Sequence, residues 1–295
     1  MSEASEDAAK RRSSLVGLIR LVRPLNAALV AAGAVLGGML VSGAAAFEGG
    51  SLSRLLWAAG SAALIGGGAN GLNDACDLDV DRVNRPGRPL PAGQATPRAA
   101  WIVWGVATTA GIGVSVWLSW PHVVMAVTAA ALLYTYNVRW KHIPGLGNAV
   151  VALVTGLALT YGGMAVGSAW PALVGAAFAF LVTLAREIVK DVQDAQGDAA
   201  TGGRTLPLVW GAGAAWQSAA GVVALTVALT PAPYLALGYP GAYLLGVVLA
   251  DAALLRAMGV CASTPTPERA ERASRLLKGA MALGMMALAV AGLLR

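Results

Sequence analysis

The sequence predicts an all-α polytopic membrane protein: nine transmembrane helices around a central cavity open to the cytoplasmic side, built as two four-helix halves plus one helix. Three observations predict it. Only 12% of the residues are charged and the mean hydropathy is +0.65, which excludes an ordinary soluble domain. The apolar runs are about 20 residues long, enough for a helix to cross a bilayer. They are continuous rather than alternating, which excludes a barrel. Third, the charges gather in alternate connections between those runs.

The nine expected spans cover residues 24–44, 53–73, 99–118, 121–138, 145–166, 170–189, 206–230, 234–256 and 275–294. The second contains Leu55 to Leu72 and the sixth begins with Trp170 to Ala185, two stretches without a charge. The link between the third and fourth, at Trp120 and Pro121, is the shortest. The segment Thr264 to Lys278 reads as a short surface helix feeding the last span. Residues 1–23 are expected to be a cytoplasmic N-terminal segment and 24–295 a single domain. Met1 to Arg12 is polar and mixed in charge, with no cleavable signal peptide evident.

Orientation follows from the basic residues. With the N-terminus inside, 19 of the 21 Lys and Arg fall on the cytoplasmic side and only Arg54 and Arg295 outside, which is the asymmetry that sets topology. Lys10, Arg11, Arg12 and the cluster Arg269 to Lys278 read as topology signals and headgroup contacts. The expected location is the cytoplasmic membrane. The glycines, Gly66, Gly67 and Gly68 among them, read as close helix–helix contacts. Cys76 and Cys261 lie far apart in polar segments, so a disulfide is not expected; with two Cys and two His, neither is a zinc site.

Two polar stretches interrupt this pattern. Asn70 to Gly93 follows the second span and Arg186 to Arg204 ends the sixth. Asp74, Asp77 and Asp81 are spaced i, i+3, i+7, and so are Asp191, Asp194 and Asp198. At about 100° per residue each trio lies on one helix face, while Asp79 points away from the first. Two such faces repel unless cations sit between them. If the two halves meet face to face, both trios reach one cavity.

Carboxylates and a side-chain amide are hard oxygen ligands, suited to Mg²⁺ that shares its shell with substrate phosphates. Acidic clusters at the edge of a membrane need compensation. Two Mg²⁺ and a diphosphate supply it, with Mn²⁺ able to substitute. Arg82, Arg85, Arg88, Arg139, Lys141, Lys190 and Arg204 are placed to grip phosphate oxygens. The loops Asn84 to Pro91 and Thr201 to Pro207, rich in Arg, Gly and Pro, could carry such cations over a site.

The segment NDACDLDVDRVNRPGRPLPAG resembles the first motif of the UbiA-type intramembrane prenyltransferases, N-D-x-x-D-x-x-x-D with its trailing Arg/Pro run. REIVKDVQDAQGD resembles their second, D-x-x-D-x-x-x-D. RLVRPLN and YNVRWKHIPGLGN extend the likeness over essentially the whole chain. The resemblance implies a single prenyltransferase domain, with a cytoplasm-facing cavity open sideways to lipid. There a prenyl diphosphate is bound through Mg²⁺ and its prenyl group passes to a lipophilic acceptor. Position by position, it implies Asn73 and Asp77 on one metal and Asp194 and Asp198 on the other. Asp74, Asp81 and Asp191 become close ligands, supports of the ligands, or a base. Asn26 matches the polar residue of the first helix. Where the family often has Tyr-x-x-x-Lys, Tyr136 is followed by Arg139 and Lys141, which leaves open which cation meets the diphosphate. Tyr134, Tyr136 or Tyr161 could face the allylic cation.

The run AREIVKDVQDAQGD with GGRTLP most resembles the subgroup that alkylates the free hydroxyl of geranylgeranylglyceryl phosphate. Members with aromatic acceptors (quinone, tocopherol, chlorophyll or haem type) share the diphosphate motifs and form the alternative. A CDP-alcohol phosphotransferase is excluded, since no D-G-x-x-A-R occurs. A cation-coupled transporter is disfavoured because the acids sit at span ends rather than at the midplane. The expected partners are prenyl diphosphate, a lipophilic acceptor and the bilayer, with no nucleic acid and no obligate protein partner.

Overall fold

Arg23 bends the chain into its first long helix. Its φ of 50° is the left-handed region, rare for a side chain larger than glycine, and Pro24 follows it at the helix start. The structure is a computed structural model that describes residues 15–260 and 265–294. The expectations resting on Lys10, Arg11, Arg12, Cys261 and Arg295 lie outside the described residues.

Among the described residues all regular structure is helical. A short helix α1 (residues 15–22) precedes α2 (Pro24–Ser42). Then come α3 (Gly49–Cys76), α4 (Leu78–Asn84), α5 (Pro97–Val116) and α6 (Trp120–Val138). A 3₁₀ turn, Trp140–His142, leads into α7 (Leu146–Val166), and α8 (Ala172–Ala200) follows. The chain ends with α9 (Leu206–Trp210), α10 (Ala212–Leu229), α11 (Ala232–Leu237), α12 (Gly241–Gly259) and α13 (Pro267–Leu293). Each of the nine expected spans meets one long helix. Seven of these are long and apolar enough to cross a membrane. The other two are α3, diluted by glycine, serine and asparagine, and α6.

The expected boundaries fail where backbone conformation, rather than composition, decides. The stretch 206–230 is broken at Gly211 (φ 85°), and 234–256 loses its first turn at Gly238 (φ 67°). Both need the left-handed region that glycine enters without steric cost. The surface helix expected before the last span does not exist as a separate element. Thr266 caps the backbone N–H of Arg269, Pro267 takes the first turn, and α13 runs unbroken to Leu293. α8 continues past the expected 189 to Ala200, so the second acidic trio lies within one continuous helix.

α2 and α7 cross at the centre of the bundle. A side chain at Gly37 would put its Cβ 1.8 Å from the Leu159 carbonyl oxygen, and one at Gly162 1.8 Å from that of Ala34. The backbones touch there, so the crossing depends on small residues. α3 meets α5 in the same way. A Cβ at Gly68 would lie 3.2 Å from the Trp104 carbonyl oxygen, and one at Gly111 2.9 Å from that of Ser61. α5 backs α3, α10 backs α8, and α12 backs α13. These three outer helices leave the inner walls of the bundle to α2, α3, α6, α7, α8 and α13.

The crossing is testable. Gly162→Ala should lower the thermal midpoint of the detergent-solubilised protein by at least about 3 °C, because an overpacked contact costs ~1–3 kcal/mol. Gly279→Ala, on α13 with nothing within 4 Å of its would-be Cβ, should leave the midpoint unchanged or slightly raised. Equal effects would mean that α2 and α7 are not in backbone contact.

Candidate active site

The helix α3 stops at Cys76, yet the chain keeps a helical path through Asp77 into α4. The Asp77 N–H donates to the Asn73 carbonyl (2.9 Å) and the Asp81 N–H to the Asp77 carbonyl (2.7 Å). Asp74, Asp77 and Asp81 therefore share a face. Asp79 points outward, three-quarters exposed, and pairs with Arg82.

The face is held by cations. Asp74 and Asp81 are each 1% exposed. Asp74 is paired with Arg23 and lies 3.4 Å from Arg88, which also bonds Asp81. Asp77 is paired with Lys141, which the 3₁₀ turn carries, and accepts from Asn73 (2.7 Å). Burial pushes the Asp81 carboxyl above its ordinary range, against the charge and hydrogen bond of Arg88. The neighbouring Asp74 adds to the rise and Arg85 opposes it. Burial also pushes the Lys141 ammonium down, opposed by Cys76 and Asp198.

The second trio faces the first because α4 lies against the last turns of α8. Gly197 makes the approach possible, since a Cβ there would sit 2.3 Å from the Asn84 amide nitrogen. Asn84 donates to the Asp194 carbonyl (3.0 Å), and Arg85 grips both Asp194 carboxylate oxygens (2.7 and 2.8 Å). Asp191 accepts from Asn148 of α7 (2.9 Å).

Between these walls is a cavity of about 620 Å³, within the usual size of a small-molecule site. Asn26, Asn73, Asp77, Asp81, Arg85, Arg88, Tyr136, Lys141, Lys190, Asp191, Asp194 and Asp198 line it. Beyond the carboxylates the wall turns apolar, with Val30, Ile65, Met125, Leu133, Val154 and Leu157. Four expected residues are not on its wall. Asp74 is enclosed behind it by Arg23 and Arg88. Arg82, Arg139 and Arg204 are exposed. Of the tyrosines, Tyr136 and Tyr161 line the cavity, whereas Tyr134 stacks on Trp104 with ring centroids 5.4 Å apart.

Sequence reasoning missed several wall residues. Arg23 counts in sequence only as a topology charge, although its place before Pro24 in RLVRPLN marks it. Arg186, Arg275 and Lys278 also line the cavity, two of them from the cluster read as headgroup contacts. Asn137 accepts from Asn73 (3.1 Å), and nothing in its local spacing announces it.

The donor set fits Mg²⁺. Asn73, Asp77, Asp191, Asp194 and Asp198 bring only oxygen ligands to one cavity. Among the described residues no three Asp, Glu, His or Cys converge closely enough to enclose an ion by themselves. That matches a metal which relies on substrate phosphates and water for much of its shell.

The family model of the UbiA prenyltransferase family matches residues 24–291. The chain belongs to this family. It is therefore a prenyltransferase and an integral membrane protein. It is 39% identical over 279 residues to the digeranylgeranylglyceryl phosphate synthase of Natronomonas pharaonis, covering 93% of this chain and 98% of that one. The enzyme of the same name from Methanopyrus kandleri is 36% identical, covering 91% and 96%. A solved structure concerned with digeranylgeranylglyceryl phosphate synthase in membranes superposes with a TM-score of 0.76 at 27% identity, over 96% of this chain and 99% of that one. A UbiA homologue from Archaeoglobus fulgidus bound to GPP and Mg²⁺ shares the fold, with a TM-score of 0.70 at 20% identity over 92% and 99%.

Arg88 and Arg82 of this prenyltransferase should differ sharply in structural weight. Arg88→Gln leaves two buried carboxylates short of a partner, a loss of ~3–5 kcal/mol that should show as a large fall in thermal midpoint. Arg82→Gln breaks an exposed pair worth ~0–1 kcal/mol and should barely move it. Similar midpoints for the two variants would mean that Asp74 and Asp81 do not depend on Arg88.

Proposed function

We propose that this prenyltransferase moves a geranylgeranyl group from its diphosphate to the free hydroxyl of geranylgeranylglyceryl phosphate, in a Mg²⁺-dependent reaction. One observation carries the reading. Asp77 and Asp81 of the first trio, all three acids of the second and the cations Arg85, Arg88 and Lys141 line a single cavity that turns apolar beyond them, in a chain 39% identical to an enzyme of that name over nearly its whole length. Residues 24–295 act as one domain. The motif end faces the cytoplasm, as the placement of Lys and Arg requires. The nine long helices all span the cytoplasmic membrane.

Two Mg²⁺ ions bind in this reading, one at Asn73 and Asp77, the other at Asp194 and Asp198. When bound they neutralise the leaving diphosphate and make its departure easier. Lys141 and Arg85, matched to Asp77 and Asp194, are the cations nearest the residues that would hold the ions and would be available to phosphate oxygens there. Arg88 and Arg23, themselves on the cavity wall, hold Asp81 and Asp74 in place. The apolar wall houses the prenyl chain and keeps water from the allylic carbon as positive charge develops there. Tyr136 and Tyr161, on the cavity wall, are the aromatic side chains available to stabilise that charge. The acceptor hydroxyl oxygen bonds to the allylic carbon and the carbon–oxygen bond to diphosphate breaks. The hydroxyl proton passes to a carboxylate, for which Asp191, oriented by Asn148, is the candidate. The products are an ether, diphosphate and one proton.

Transfer should stop in excess EDTA and return with Mg²⁺. Asp77→Asn and Asp194→Asn should each reduce it at least ~100-fold, about 2.7 kcal/mol of transition-state stabilisation, while Asp79→Asn stays within about twofold. The assay is labelled geranylgeranyl diphosphate with geranylgeranylglyceryl phosphate, and with an aromatic acceptor in parallel. Product on the aromatic acceptor alone would sink the acceptor assignment. An Asp194→Asn enzyme with near-native turnover would remove the second metal site.

A further inference from the structure

A second group of cations lines the same cavity and takes no part in the reaction as described. Arg186 and Lys190 come from α8, Arg275 and Lys278 from α13. Two acids pair directly with these four. Glu187 sits between Arg186 (3.2 Å) and Lys190 (2.8 and 3.0 Å). Glu271 pairs with Arg275 (2.6 Å). Among the described residues Lys278 has no partner. The Arg186 Nε and the hydroxyl of Thr183, one turn away on the same wall, are buried donors with nothing to bond. Buried donors of this kind normally have acceptors.

The level of the cluster in the bundle says what the acceptor is. α8 and α13 run antiparallel, with Gly175 facing Leu288, where a Cβ would lie 3.6 Å from the leucine Cδ1. That register sets Arg186 opposite the turn that holds Arg275 and Lys278. Counted from the helix ends away from the motifs, at ~1.5 Å per residue, all four cations lie about 21–27 Å along their helices. A hydrocarbon core is about 30 Å thick, so with those helix ends at its far edge the four cations lie within its last ~10 Å on the motif side, within snorkelling reach of the phosphate level. Asp194 is about 12 Å further along α8 than Arg186. Two anions bound at those levels are separate, and the space between them is where an allylic carbon and an acceptor hydroxyl would meet.

We propose that Arg186, Arg275 and Lys278, with Thr183, form a second anion site that takes the phosphate monoester of a lipid acceptor, distinct from the diphosphate site at the Asp trios. Lys190 and Glu187 brace it. The assignment rests on the proposed reaction and explains how the cavity selects a phosphorylated acceptor. An aromatic acceptor has no phosphate, and for it the four cations would be a cost. A bulk phospholipid carries a diester with less charge and fewer free oxygens, so it fits the site less well.

The test uses the full chain in nanodiscs with a non-reacting probe, a monoalkyl glyceryl phosphate whose free hydroxyl is methylated, beside the same ether without phosphate. The wild type should bind the phosphorylated probe at least ~10-fold more tightly. Arg275→Gln/Lys278→Gln should erase that preference, and Arg275→Lys/Lys278→Arg should keep most of it. In turnover the Gln pair should raise KM for the glyceryl phosphate acceptor about tenfold or more and leave KM for the prenyl diphosphate within about twofold. Equal binding of the two probes by the wild type, or a matching rise in both KM values, overturns the site. Equal competition by phosphatidylglycerol makes the cluster an ordinary headgroup contact and also overturns it. Selective phosphate binding without any transfer to glyceryl phosphate keeps the site and refutes the proposed acceptor instead.

Discussion

The arrangement of this protein depends on compensating negative charge at the rim of a membrane. Carboxylates brought into a low-dielectric cavity are unstable beside one another unless cations are within contact distance. Here each of the first trio has its own. Asp74 has Arg23, Asp77 has Lys141, and Asp81 has Arg88. The partners come from the bend before α2, the turn after α6 and the loop after α4. Compensation therefore ties together segments far apart in sequence and closes the motif end of the bundle. Arg85 on Asp194 does the same across the two motifs.

That network can form only because the helices behind it come unusually close. Backbone contact at Gly37 and Gly162 brings α2 to α7, and Gly197 admits Asn84 between α4 and α8. In a bilayer little hydrophobic force drives helices together, so close approach and side-chain bonds do more of the work. Glycine supplies the first and the buried polar residues the second. The long helices α8 and α13, 29 and 27 residues, then reach about 40 Å, beyond a hydrocarbon core of about 30 Å. Their outer turns carry charge at the membrane surface while the same helices wall the apolar part of the cavity.

Much of this was legible in the chain. Helical periodicity placed each acidic trio on one face and turned Asp79 outward, because a helix fixes angular position from spacing alone. Apolar run length gave the helices, and the motifs pointed to the family that the comparisons establish. Boundaries were less legible at Gly211, Gly238 and Thr266, where local dihedrals and caps end or start helices inside a uniformly apolar or basic composition.

By itself the sequence determined where the long apolar helices lie, the faces that carry the acids, and the chemistry those acids suit, since all three follow from local spacing and composition. Only the tertiary structure decided which cation meets which carboxylate. It placed Lys141 on Asp77, sent Arg82 to Asp79, and left Arg139 and Arg204 outside the cavity. It also turned Arg275 and Lys278, indistinguishable in sequence from surface charges, onto the cavity wall beside Arg186. The reason is physical: a long basic side chain can reach lipid, water or a neighbouring helix with equal ease, and only helix packing decides which surface it lines.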